Sequence, residues 1–221
     1  MAKIIKEWIQ ILFGLTIFAL GVHLTIRADL GLAPWDCLGM GISSHIPLNY
    51  GLTMTALSVV ILGIDLLLKE KIGFGTIIDA LITSNIIQLF NTVDVLPKTE
   101  NIWIGIAIIL AGLTLMALGQ FFYMRSGQCC GPKDALLVGL GKLLKFLPIG
   151  AVQILLWGVV LLIGWLLGGP VGIGTIVSTF GAGVIAQLVF WLLRFEPRNV
   201  QHDSVIVMLY VPRLKAEERT A

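Results

Sequence analysis

Asp79 lies seven residues into an apolar run, 72–93, that also carries Thr76, Thr83, Ser84 and Gln88. At 1.5 Å per residue it stands about 10 Å inside a helix of that length. A carboxylate there is costly unless it is paired or wetted. Such a residue can hold a cation or carry a proton, and the hydroxyl and amide groups near it can hold a polar ligand. The counterpart run, 172–193, has Thr175, Ser178, Thr179, Gly183 and Gln187, with Ser178 where the first has Asp79. Both polar faces must look inward, either as packing surface between helices or as the lining of a site. Asp79 is the candidate coupling residue, and Gln88, Gln187, Thr76 and Thr175 are candidate substrate-binding residues, with both Gln side chains expected in one central cavity.

Two further carboxylates follow prolines, in Pro34-Trp35-Asp36 and Pro132-Lys133-Asp134. Pro at a first helical position with an acid two residues on marks a helix start. The free N–H groups of such a start attract an anion. Asp36 and Asp134 therefore either cap their own helices or take part in substrate, cation or proton handling. Arg27 and Arg125 recur at corresponding helix ends, as anion gates or as caps for the last carbonyls. Asp65, one turn before Lys69, is expected to pair with it or reach the surface, and His23 reads as a packing residue. Cys37, Cys129 and Cys130 form no CxxC pair and no ligand spacing with His, so neither a disulfide framework nor a metal site is expected. There is no HExxH, no GxSxG with a usable His, no Walker loop and no NPA pair. An enzyme is not expected, nor a cofactor.

The elements that must position these residues follow from composition. Of 221 residues, 57% are hydrophobic and 13% are charged, about half the usual charged fraction of roughly 25%. Residues 8–26, 101–124 and 146–193 contain no Asp, Glu, Lys or Arg. Crossing a hydrocarbon core of ~30 Å takes about 20 apolar residues, so these runs read as membrane helices. No stretch is left for a soluble catalytic domain, and a net charge of +2 offers no footprint for nucleic acid.

An internal repeat organises the chain. Shifted by 98 residues, Gly14-Leu15-Thr16 falls on Gly112-Leu113-Thr114, Ala19-Leu20-Gly21 on Ala117-Leu118-Gly119, Arg27 on Arg125 and Pro34 on Pro132; with one inserted residue, GFGTI (73–77) meets GIGTI (172–176). Each unit predicts a long helix (8–26; 102–124), a short Pro-initiated helix (34–46; 132–146) and two more long helices (50–68 and 72–93; 149–168 and 172–193). The first helix has a mate in mid-chain and is read as a structural span, not a leader. The short helices are either re-entrant or flat in the interface. If they do not cross, three spans per unit force the halves into opposite orientations. Six spans with the N-terminus inside then place 13 of the 15 Lys and Arg in cytoplasmic segments. The expected fold is all-α and polytopic: a 3+3 inverted repeat of six transmembrane helices with two short non-crossing helices. Its segments are a cytoplasmic N-terminus (1–7), repeat 1 (8–93), an external loop (94–101), repeat 2 (102–193) and a cytoplasmic tail (194–221).

Leu30-Gly31-Leu32-Ala33-Pro34-Trp35-Asp36 after a first span, and Gly73-Phe74-Gly75-Thr76 later, resemble the YczE/YyaS/YitT group of bacterial membrane proteins. The likeness covers about residues 10–193. It implies a multi-pass protein of the bacterial cytoplasmic membrane and carries over no catalytic residues. From the residues themselves, the expected function is a small secondary transporter or facilitator for a polar small molecule, with lipid as its surroundings. The alternative is a non-transporting scaffold or accessory subunit, acting as a homo-oligomer or through a protein partner at the tail.

Overall fold

The computed structural model describes the backbone of residues 2–70, 72–93, 101–126, 131–147 and 149–195, and the side chains of these except 2–5, 74, 149 and 150. Within them the chain forms eight helices and no strand. They are α1 (Ala2–Arg27), α2 (Pro34–Ser43), α3 (Tyr50–Leu67), α4 (Phe74–Val93), α5 (Ile102–Met124), α6 (Pro132–Leu143), α7 (Ile149–Leu166) and α8 (Ile173–Leu192). The expected boundaries hold to within three residues, save that α1 begins at Ala2, ahead of residue 8. Asn49 and Asn101 start α3 and α5 by accepting from the Leu52 and Trp103 N–H groups at 2.9 Å.

Five helices are long and apolar enough to cross a membrane: α1, α3, α4, α5 and α8. The described apolar part of α7, Ala151–Leu166, is shorter. The outer surface agrees, for large apolar side chains such as Leu67 (83% exposed), Trp103 and Trp191 stand fully outward. Water would penalise such a belt, whereas lipid does not.

The centre of the bundle is the packing of α1 on α5. A side-chain carbon at Gly21 would stand 2.6 Å from the Gly112 carbonyl oxygen, and one at Gly14 would stand 2.9 Å from that of Gly119. The early glycine of each helix meets the late glycine of the other, so the two run antiparallel. Glycine is required because backbone touches backbone. Around this pair, α4 packs on α1 and α8 on α5, while α2 packs on α7 and α6 on α3. Each short helix thus docks on a long helix of the other half. Gly41 lies against Leu167 on α7's end, and its counterpart Gly139 lies against Leu68 on α3's end.

Between α1 and α2 the chain leaves helical geometry without losing its hydrogen bonds. Asp29 and Gly31 have positive φ, 53° and 102°. At Gly31 a side chain would also strike Thr175 Oγ1, at 2.7 Å. The freed backbone groups are used: Leu32 N–H donates to the Pro170 carbonyl at 3.1 Å, and Gly174 N–H to the Leu30 carbonyl at 2.7 Å. Protein groups, rather than solvent or lipid, thus satisfy this stretch of backbone.

Gly112→Ala should therefore lower stability by about 1–3 kcal/mol, because its methyl group would press on the Gly21 carbonyl. Gly158→Ala, whose methyl would meet nothing within 4 Å, should be neutral or slightly stabilising. Thermal unfolding of the two variants in detergent checks the contrast.

Candidate functional site

A residue before proline is driven out of the α region by the proline ring. Ala33 (φ −61°, ψ 154°) and Gly131 (φ −56°, ψ 150°) accordingly take the same extended conformation and enter α2 and α6 in the same way. Neither cap residue donates or accepts through a side chain. The two helix starts converge on one cavity of about 200 Å³, lined by Pro34, Asp36, Pro132 and Asp134. From α4 comes Asp79, and from α8 its repeat counterpart Ser178. Residues that correspond under the sequence offset thus line one shared space.

Each carboxylate is held differently. Asp36 is 7% exposed and accepts a hydrogen bond from the Tyr50 hydroxyl at 2.9 Å. Asp79 accepts from the Thr83 hydroxyl, one turn along α4, at 2.5 Å. Asp79 Oδ2 and Asp134 Oδ2 would stand 3.3 and 3.4 Å from a side-chain carbon at Gly131. Both oxygens thus lie close against the Gly131 backbone. Lys133 acts electrostatically on all three acids, and its ammonium stands 5.5 Å from the Trp35 ring centre. Gln153 and Trp157 of α7 complete the polar and aromatic lining opposite Met54 and Ser58 of α3.

The remaining candidates lie elsewhere. Gln88 accepts from the Gly51 N–H at 3.3 Å and donates to the Thr92 hydroxyl, fastening α4 to α3. Gln187 is exposed on the outside of α8. The expectation of both Gln side chains in one central cavity is corrected: the cavity includes neither. Thr175 accepts from the Gly172 N–H at 3.1 Å and so caps α8. Thr76 is 1% exposed and likewise lies outside the lining. Arg27 donates to the Asn91 carbonyl of α4 at 3.1 Å, so it caps a neighbouring helix. Arg125 is exposed, its guanidinium 5.6 Å from the Phe121 ring centre.

The expectation for Asp65 also changes, while that for His23 holds. Asp65 is 0% exposed with neither oxygen hydrogen-bonded, while Lys69 is exposed beyond the end of α3 at φ 59°. No pair forms, because the chain turns at Leu68 and carries the lysine away. His23 is buried and shares a 2.7 Å hydrogen bond between its Nδ1 and Asn91 Oδ1, as a packing residue should. Cys37 is a buried free thiol, whereas Cys129, Cys130, the 94–100 loop and the tail from 196 lie outside the described residues. Among the described residues no three His, Cys, Asp or Glu could hold a metal ion.

Sequence reading missed Lys133, counting it among cytoplasmic lysines. The available signal was its place in the first turn of a helix, where a cation opposes the helix dipole. It needs neighbouring acids, and three are there. A functional role for this cluster predicts that Asp79→Asn and Asp134→Asn each reduce activity at least tenfold at normal membrane abundance. Gln187→Ala should keep nearly full activity. The check is a solute-flux assay on proteoliposomes matched for protein content.

The comparisons with known proteins agree with a membrane chain. The sequence is 28% identical over 177 residues to an uncharacterized protein of Haemophilus influenzae, covering 80% of each chain. It is 27% identical over 221 residues to the uncharacterized membrane protein YczE of Bacillus subtilis, covering 97% of this chain and 96% of that one. It is 31% identical over 185 residues to YyaS of the same organism, covering 79% and 88%. No solved structure matches. A model of the family of unknown function DUF6198 matches residues 5–190. The chain is accordingly a membrane protein of the DUF6198 family, related to YczE and YyaS.

Proposed function

We propose that this protein is a small secondary transporter or facilitator of a polar small molecule, with its substrate site between two inverted halves. The observation that carries the reading is the central cavity, whose lining includes Pro34 and Pro132, Asp36 and Asp134, and Asp79 and Ser178, pairs that correspond under the sequence offset. Sites of this kind, made by broken helices at a repeat interface, are the common plan of secondary transporters.

The arrangement of helices supports the inversion. Antiparallel α1 and α5 are counterparts in the repeat, and the exchange of α2 onto α7 and α6 onto α3 is what a two-fold axis between the halves would produce. In this reading α7, 18 residues long like α3, is the sixth span. The short helices are re-entrant and their N-terminal ends reach the middle of the membrane. Both termini face the cytoplasm of a bacterial cell. Asp79, with Asp134 and Lys133 beside it, is the coupling carboxylate.

Two experiments test this. Cysteine substituted at Pro97 should react with a membrane-impermeant reagent from outside the cell, and cysteine at Lys142 should not; external labelling at 142 contradicts the inversion. Proteoliposomes containing only this protein should respond to at least one member of a panel of amino acids, amines, polyols and organic acids, with flux read by an internal pH dye or by isotope uptake. Asp79→Asn should remove or uncouple that flux. A silent panel favours the scaffold alternative.

A further inference from the structure

The cavity has hydrogen-bond acceptors in excess. Thr83 and Tyr50 supply one donor each, to Asp79 Oδ1 and Asp36 Oδ1. Asp79 Oδ2, Asp36 Oδ2 and both Asp134 oxygens are left to other donors. Ser178 Oγ, in the same lining, is 2% exposed and has no hydrogen-bond partner. An unsatisfied buried hydroxyl is expensive, and this one opens onto a space of about 200 Å³.

Charge points the same way. Two helix starts contribute roughly half a positive charge each, and Lys133 contributes one. Against them stand the carboxylates of Asp36, Asp79 and Asp134. When all three are ionised, the acids exceed the cations by about one unit. The walls suit a cation that has a carbon body, since Phe18, Tyr50, Tyr123 and Trp157 are among the lining residues and aromatic faces attract ammonium groups. Trp35 is already occupied by Lys133. A metal ion fits poorly, as the described residues gather no three ligands for one.

We infer that the cavity takes a small primary ammonium compound, its N–H groups shared among Asp134, Asp79 and Ser178 and its carbon chain against Trp157 and the neighbouring rings. An anion or a neutral acceptor would leave the same oxygens unpaired. This names the substrate class for the site proposed above and rests on that cavity being a ligand chamber.

The test uses three probes of one four-carbon chain: n-butylammonium, n-butanol and butyrate. Full-length protein in nanodiscs is titrated with each while tryptophan emission is read, with empty discs as blank. The expected result is a saturable response to butylammonium at least tenfold tighter than any response to butanol, and none to butyrate. Ser178→Ala should weaken the ammonium several-fold at an unchanged thermal midpoint, and Asp134→Asn at least tenfold. Butanol or butyrate binding as well as butylammonium overturns the inference, and so does the absence of a saturable response to all three; neither touches the transport reading, which is scored by flux of the wider panel. A saturable ammonium site together with a silent flux panel upholds the ligand class and removes the transport reading.

Discussion

Apolar helix faces gain little by leaving lipid for one another, so a membrane bundle needs close backbone contact or hydrogen bonds to hold its centre. Here that contact is the crossing of α1 and α5, where Gly14 meets Gly119 and Gly21 meets Gly112. Four missing side chains allow two backbones to touch over two turns, and dispersion along the seam does the work that the hydrophobic effect does in water. Ile11, Leu15 and Ile109, all fully buried, pack beside it. Moving α1 off α5 would also move α4 and α8, which pack on the outer sides of the pair.

The cavity is a consequence of what this seam leaves unfilled. The short helices α2 and α6 are too brief to span, and each docks on a long helix of the other half. Their proline-led ends therefore border one cavity and bring Asp36 and Asp134 to its lining. Polar groups on two helix starts are thereby held in one lining. Asymmetry then gives the site its chemistry: Asp79 stands where the other half has Ser178, and Lys133 where it has Trp35.

Most of the fold was legible because its signals are local or periodic. Charge-free runs, two Pro-x-Asp helix starts and a 98- to 99-residue offset placed all eight helices; the offset paired Asp36 with Asp134, and Asp79 stood out as an acid inside an apolar run. The site was legible only in part, because a broad polar face is not one direction. At about 100° per residue, nine residues from Asp79 to Gln88 turn the helix by some 180°, and so do nine from Ser178 to Gln187. Neither Gln can share a cavity with the residue nine before it. Lys133 was hidden for another reason: counting Lys and Arg by loop treats every lysine near a helix end as solvated, and nothing in a linear sequence reveals that Asp36 and Asp79 line the same cavity as this one. Asp65 escaped because its partner was sought at i+4, where the helix had already ended.

The central claim is that Ser178 and its facing acids border a chamber that both sides of the membrane reach in turn. It is tested most directly by placing a single cysteine at Ser178 in a chain whose Cys37, Cys129 and Cys130 are replaced by alanine, and by applying a membrane-impermeant thiol reagent to sealed right-side-out and inside-out vesicles. The account predicts alkylation from both faces, slowed by n-butylammonium. A cysteine that reacts from one face alone, or from neither while remaining reactive in denaturant, would contradict it.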